Sequence, residues 1–268
     1  MVNMQPFLKN TKTMIRKSDR IAAMEGRHQK IDILYYDEHL AVINKPEGIL
    51  SVPFPGFKGR TAQSVLEELL RARGCANGRH HPYAVHRLDR DTSGVMMFAL
   101  TEKAQAKIMD SWHKMVSGRV YRALTYRAPK MRVLPFELDV RLGSEGDINA
   151  PLAKNAYNIG FVPKAGATDK KGRPFRTEPA RTHYKVIKAG KKYVLFELEL
   201  DTGKKNQIRA HLAAAGYPLL GDQEHRSNEN PFNRLCLHAR TLEFTHPFTG
   251  EKLKFEVPEP ASWDDFPR

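Results

Sequence analysis

Apolar runs of strand length dominate this chain, and helix-like periodicity interrupts them in only three places. Without a regular strand–helix–strand rhythm, that pattern points to an α+β fold built on a mixed, mainly antiparallel sheet flanked by helices. "IDILYYDEHLAVINKPEGILSVP" predicts two short strands around the Asp37-Glu38 turn, a breaker at Asn44-Lys45-Pro46 and a positive φ at Gly48. "GVMMFALT" and "RVYRALTYRA" read as strands. "KKYVLFELELDTG" alternates, with Phe196, Leu198 and Leu200 on one face and Glu197 and Glu199 on the other. "LCLHARTLEFTHPFTGEKLKFEVP" gives further strands around a Pro/Gly turn. Helices are predicted over 62–73, between Thr61 as cap and Gly74; from Thr101, with Ala104, Ile108, Trp112 and Met115 in one stripe; and in "QIRAHLAAAG", ending at Gly216. Residues 144–180, poor in large apolar side chains, read as a long loop or hairpin.

The chain has 268 residues, 41% of them hydrophobic, which is enough for a sizeable core and argues against wholesale disorder. Its formal charge of +14 favours a polyanionic partner, nucleic acid first. The two cysteines, Cys75 and Cys236, lie far apart without CxxC spacing, which suits a reducing compartment and argues against a disulfide framework or structural zinc. No apolar run approaches the roughly 20 residues that span a bilayer. The first 30 residues lack sustained periodicity and carry Lys9, Lys12, Arg16, Lys17 and Arg20, so they read as a basic tail.

Several rival chemistries fail on spacing. "DTGKKNQ" only faintly resembles a phosphate loop: Leu198 stands where a Walker A needs glycine, and Lys205 where it needs Ser or Thr. There is no HExxH, no GxGxxG after a strand, and His80, His81, His86, His211 and His238 show no ligand-like spacing. The stretch "AVHRLDRDTSG" sets Asp89 between two arginines before a Thr-Ser-Gly turn. On residue types alone, Asp89 is either a loop acid satisfying backbone N–H groups or a reactive group; Arg209 reads as a helix charge and Tyr121 as a strand aromatic.

Taken together and in order, "NKPEGILSVP", "HRLDRDTSG", "GRVYRA", "DTGKKNQIRAHL", "GYPLLGD" and "LCLHARTLEFTHP" resemble the RluA-type branch of the RNA pseudouridine synthases over roughly residues 31–260. The resemblance implies a catalytic core of two subdomains over 31–260, between the basic tail of 1–30 and a C-terminal tail over 261–268, with the site in a basic cleft. It implies a cytoplasmic, monomeric isomerase that needs no metal or cofactor and whose partner is RNA: large-subunit rRNA, tRNA or both. Asp89 matches the family's catalytic aspartate, an ionised carboxylate acting as nucleophile or base while the uridine N1–C1′ bond breaks and the base rejoins through C5. Arg209 matches its salt-bridge partner, and Tyr121 the active-site tyrosine that stacks on the uracil and handles the C5 proton. Arg87 corresponds to the residue that enters the RNA stack when the base is flipped, and Ile208 to an apolar wall of the uracil pocket.

The chain departs from the family where a Thr-His or Ser-His pair usually precedes QIR; Lys205-Asn206 stands there instead. With Lys204, this pair is expected at the rim as RNA contacts. The thirty residues before "ILYYDEHL" leave no room for an S4-type RNA-binding module, so recognition is expected from the core, its loops and the tail. A catalytically silent RNA-binding or chaperone protein on the same scaffold is the alternative, but it would not need Asp89, Tyr121 and Arg209 together. A zinc deaminase fails for want of H-x-E and P-C-x-x-C.

Overall fold

The computed structural model describes residues 30–75 and 81–266, so the basic tail expected over 1–30 lies almost wholly outside the described residues. Twelve strands and three α-helices follow in order: β1 (Asp32–Tyr36), β2 (Leu40–Lys45), α1 (Ala62–Ala72), β3 (Tyr83–Ala84), β4 (Ser93–Ala99), α2 (Glu102–Met115), β5 (Val116–Tyr126), β6 (Glu145–Asn149), β7 (Ala153–Lys154), β8 (Gly160–Phe161), β9 (Arg181–Ala189), β10 (Tyr193–Leu200), α3 (Gln207–Ala214), β11 (Leu237–Thr245) and β12 (Lys252–Glu256). Ten strands form one sheet in the order β1-β2-β4-β11-β5-β10-β9-β6, with β3 on β4 and β12 on β11; β7 and β8 form a separate ribbon. Among the described strands only the β4–β11 pair is parallel, which gives the α+β class expected. Residues 144–180, read as a long loop or hairpin, hold the short antiparallel hairpin β7–β8 beside α3, and β6 joins the sheet edge.

The period-2 alternation of the strands sorts the core into two layers. Met96 and Phe98 of β4 face α1, whose Val65, Leu66 and Leu70 form its apolar stripe. Val95 and Met97 face the opposite way, onto Ala104, Ile108 and Met115 of α2. At the other end of the sheet, Phe196 and Leu198 pack with Ile208 and Leu212 of α3. Tyr121, on the central strand β5, touches both the α1 cluster and the α3 cluster, and so marks the seam between the halves. Thr61 and Thr101 cap α1 and α2 by accepting backbone N–H bonds.

Two motifs far apart in sequence meet at the parallel pair. Arg234 donates to Ser93 Oγ at 2.7 Å, and His238 Nε2 donates to the Val257 carbonyl at 2.9 Å. His238 Nδ1 is thereby left to accept from Ser93 Oγ at 2.8 Å, and burial, which lowers its pKa, keeps the ring neutral. Gly94 has φ +116°, and a Cβ there would lie 2.1 Å from the Ala239 carbonyl oxygen, so only glycine lets β4 and β11 approach.

The C-terminal stretch is not the tail expected from residue 261. A 3-10 turn at Ala261–Trp263 delivers Trp263 into the core beside Leu195 and Cys236, and Phe266 packs on Tyr193 and Phe232. Trp263 lies close to the chain end, where a single aromatic leaves no periodic signal to read. No helix among the described residues is long and apolar enough to cross a membrane.

Candidate active site

The loop between β3 and β4 carries Asp89, and four anchors hold it. His86 Nε2 accepts the Met97 backbone N–H at 3.0 Å, and burial with Arg119 nearby pushes its pKa down to about 3, so it stays a neutral acceptor. Leu88 is buried in the α1 cluster. The buried Ser51 hydroxyl clasps the same residue twice, donating to the Leu88 carbonyl at 2.7 Å and accepting from its N–H at 3.1 Å. Finally Lys45, 0% exposed at the end of β2, donates to the carbonyls of Pro46 at 2.8 Å and Arg90 at 2.9 Å.

Burial pushes the Lys45 ammonium down to about 7, against the opposing pull of Asp91, Asp89 and Glu47. Its unfolded value is near 10.4, so the unfolded chain takes up the proton more readily between those limits. Lys45 therefore favours folding fully above about pH 10, and that contribution is lost as pH falls through about 7. Lys45→Met should flatten this part of the stability–pH curve in urea unfolding. Leaving the two carbonyls without a donor should also cost about 1–3 kcal/mol. An unchanged midpoint and curve would show that the amine does not hold the loop.

From the other half comes α3, all eight residues of which are buried, so no amphipathic stripe marks it. Its polar side chains are spent internally. Gln207 donates to Arg181 O and Thr182 Oγ1 and accepts from Thr202 and Lys204. His211 Nε2 donates to Ala150 O, and its Nδ1 accepts from Thr182.

Arg209 points back to the seam. Its Nε and Nη2 donate to the two oxygens of Asp222 at 2.8 and 2.5 Å, and Nη2 also meets Glu224 at 2.6 Å. The remaining Nη1 reaches Asp89 Oδ2 at 3.1 Å, so Asp89 is the longest of its three carboxylate contacts. Burial disfavours the Arg209 charge, but the bonds and charge of Asp222, with Asp89 and Glu224, more than offset this and raise its pKa. Asp222 is 0% exposed at its side chain; burial opposes its charge, yet Arg209 and His225 hold its carboxyl well below the usual range. His225 Nδ1 lies 3.0 Å from Asp222, and its Nε2 lies 2.8 Å from the Gly160 carbonyl.

Asn206 closes the network. It sits in the left-handed region (φ 57°) at the N-cap of α3, yet its side chain makes no cap bond. Its Oδ1 accepts from Gly160 N–H at 3.2 Å, which fixes the amide orientation, and its Nδ2 donates to Asp89 Oδ2 at 2.8 Å. Both donors therefore converge on one carboxylate oxygen, and Oδ1 of Asp89 carries no hydrogen bond among the described residues. Tyr121 lies in the same field: burial raises its pKa, Arg119 opposes and Asp89 adds to the rise, so its hydroxyl keeps its proton.

The structure thus gathers Asp89, Asn206, Arg209 and Tyr121 at the seam. Asn206 is 7% exposed and engaged at both ends of its amide, so it is a carboxylate partner and not the rim contact expected. Ile208 is buried in the α3 cluster. Lys204 pairs with Glu178 at 2.6 Å; Lys205 and Arg87 are exposed. Asp222, His225, Glu224 and Lys45 were missed in the sequence. "GYPLLGD" was the available signal for Asp222, because it ends on that acid.

The described residues contain no group of His, Cys, Asp or Glu arranged to hold a metal ion. A family pattern described as RNA pseudouridylate synthase matches residues 39–214. YhcT, an uncharacterised RNA pseudouridine synthase of Bacillus subtilis, is 31% identical over 271 residues, spanning 97% of this chain and 81% of the relative. Ribosomal large subunit pseudouridine synthase D of Zymomonas mobilis is 30% identical over 251 residues, or 90% and 73% of the two chains. The human RNA pseudouridylate synthase domain containing 4 shares the fold, with a TM-score of 0.64 over 87% of this chain and 90% of that one at 22% identity. Likeness of this degree, running through nearly the whole chain and through the loop and helix that face each other at the seam, turns the RluA-type resemblance into membership: the chain belongs to the RNA pseudouridine synthases and is an isomerase.

Proposed function

We propose that this enzyme isomerises one or more uridines in a stem-loop of large-subunit rRNA or tRNA, with Asp89 as the reacting group. The observation that carries this reading is the asymmetry of the Asp89 carboxylate. Oδ2 is held by Asn206 and Arg209, while Oδ1 has no hydrogen-bond partner among the described residues, on a side chain that is 33% exposed. A carboxylate so held has one free oxygen aimed by the other, and it serves either as nucleophile at the ribose C1′ or as base on the ribose. The target base must leave its stack to reach it, which costs a few kcal/mol. In this reading Arg87, exposed two residues from Asp89, fills the vacated space. Because the Tyr121 hydroxyl keeps its proton, its part in C5 deprotonation is that of a relay and not of a phenolate. A silent RNA binder would leave the whole Asp89–Arg209–Asp222 arrangement without a task. The rRNA target is supported by the name of the large-subunit relative, and the tRNA target by the general preference of RNA readers for loops with splayed bases.

The test is tritium release from rRNA and tRNA transcripts labelled at uridine C5, followed by mapping of the modified nucleotide. Release to water from one of them is expected; none from either would sink the proposal. A companion prediction concerns Asn206. Asn206→Gly keeps the left-handed backbone but removes the amide, and kcat should fall roughly tenfold with KM nearly constant, as expected for loss of a group that orients the reacting carboxylate. A change confined to KM would return Asn206 to the RNA-contact role.

A further inference from the structure

The segment "SVPFPGFKGR", residues 51–60, meets the site just described through its first residue, Ser51, and the rest of it forms a turn of its own. Its ends are pinned together: Leu50 bridges Thr61, Ala62 N–H donates to Leu50 O at 2.7 Å, and Gln63 N–H donates to Ser51 O at 3.1 Å. At its tip Phe57 N–H donates to Phe54 O at 2.9 Å across Pro55-Gly56, and Gly56 has φ +86°. This is the pattern of a type II turn, with proline and glycine where that turn requires them. The turn displays two phenyl rings with centroids 5.2 Å apart, and Phe54 is 57% exposed. The Phe57 ring lies over Gly59, where a Cβ would come within 2.6 Å of it. Beside the rings, Lys58 is exposed and has no ion-pair partner among the described residues.

An exposed phenyl ring on a proline-fixed turn loses little entropy on binding, and it offers a flat face that any nucleobase fits. The turn is also tied to the site, because Ser51 is the residue that clasps Leu88, next to Asp89. Phe54 follows Ser51 by three positions, so their Cα atoms stand within about 11 Å of each other by chain length alone.

We propose that the Phe54–Phe57 turn is an RNA-docking surface: an unpaired base flanking the target uridine stacks on Phe54 while Lys58 meets the adjoining phosphate. This rests on RNA being the substrate but adds a second, non-catalytic point of recognition. Charge complementarity supports RNA as the occupant, since the ring pair is bordered by cationic residues in a chain of +14 net charge.

The experiment measures affinity by filter binding with a short RNA hairpin bearing an all-uridine loop, separately from turnover. Phe54→Ala and Phe54→Leu should each weaken binding roughly 5- to 100-fold, the range of one lost stacking contact, while Phe54→Tyr and Phe54→Trp retain it. The salt slope should stay unchanged in the Phe54 variants and shrink by about one in Lys58→Ala. In Phe54→Trp, indole fluorescence should be quenched as the hairpin is added. Wild-type affinity in Phe54→Ala overturns the proposal, as does wild-type affinity in Phe54→Leu, which would make the surface merely apolar. RNA affinity unchanged while a protein partner is lost overturns it in favour of protein docking. Weakened binding in the Phe54 variants with no tritium release from the wild type would leave this inference standing and remove the uridine-isomerase reading.

Discussion

Asp89→Asn is expected to lower tritium release from C5-labelled RNA by about 10²–10⁴-fold or more, the scale on which removal of a reacting carboxylate acts. The variant should bind RNA as well as the wild type or slightly better, because one negative charge near the phosphates is gone. It should also fold normally. Arg209 keeps Asp222 and Glu224 after the exchange, so no cation is stranded, and a stability change within about 1 kcal/mol is expected. The combination separates chemistry from structure: release lost while affinity and melting behaviour persist. Wild-type release from Asp89→Asn would remove Asp89 from the reaction.

Asp222→Ala should produce the largest loss of stability, about 3–5 kcal/mol in urea unfolding, because it leaves the buried Arg209 guanidinium without its bidentate partner. Glu224 is half-exposed and replaces that contact only in part. Activity should fall with it, because the guanidinium that reaches Asp89 is oriented by Asp222. The pH dependence carries a sign. The Asp222 carboxyl is held below its unfolded value of about 3.9, so its contribution is complete above that pH and is lost as the pH falls below it. Wild type should therefore lose stability steeply under acid conditions, and Asp222→Asn should show a shallower fall. Equal acid profiles would show that the pair does not hold the fold.

β1, β2, β4, β5, β10, β11, β12 and the three helices were legible from apolar runs and periodicity, such as the alternation in β10 and the four-residue stripe in α2, whereas β3, β6 and β9 gave no such signal. α3 was legible in extent but not in role. It is buried on every side, and nothing in "QIRAHL" announces that Gln207 and His211 face satisfied partners. Asp89, Tyr121 and Arg209 stood out through ordered motifs. Their supports did not, because Lys45 acts through backbone carbonyls, and Asp222 and His225 through side chains that only the fold brings near. Asn206 misled for a related reason. An asparagine beside a lysine reads as a rim residue, and only the partners of its amide show otherwise. Trp263 carried too little neighbouring sequence to distinguish a tail from a plug.

Neighbouring strands β11 and β5 are hydrogen-bonded along most of their length, at the place where a bilobed enzyme would ordinarily bend. Swinging the lobes apart would break that ladder bond by bond, at about 0.5–1.5 kcal/mol each. In the base-flipping reaction proposed above, the catalyst is then the stiff member of the encounter, and the distortion falls to the nucleic acid. Under that proposal, selectivity among uridines would follow how cheaply each RNA yields, as much as which letters surround the target.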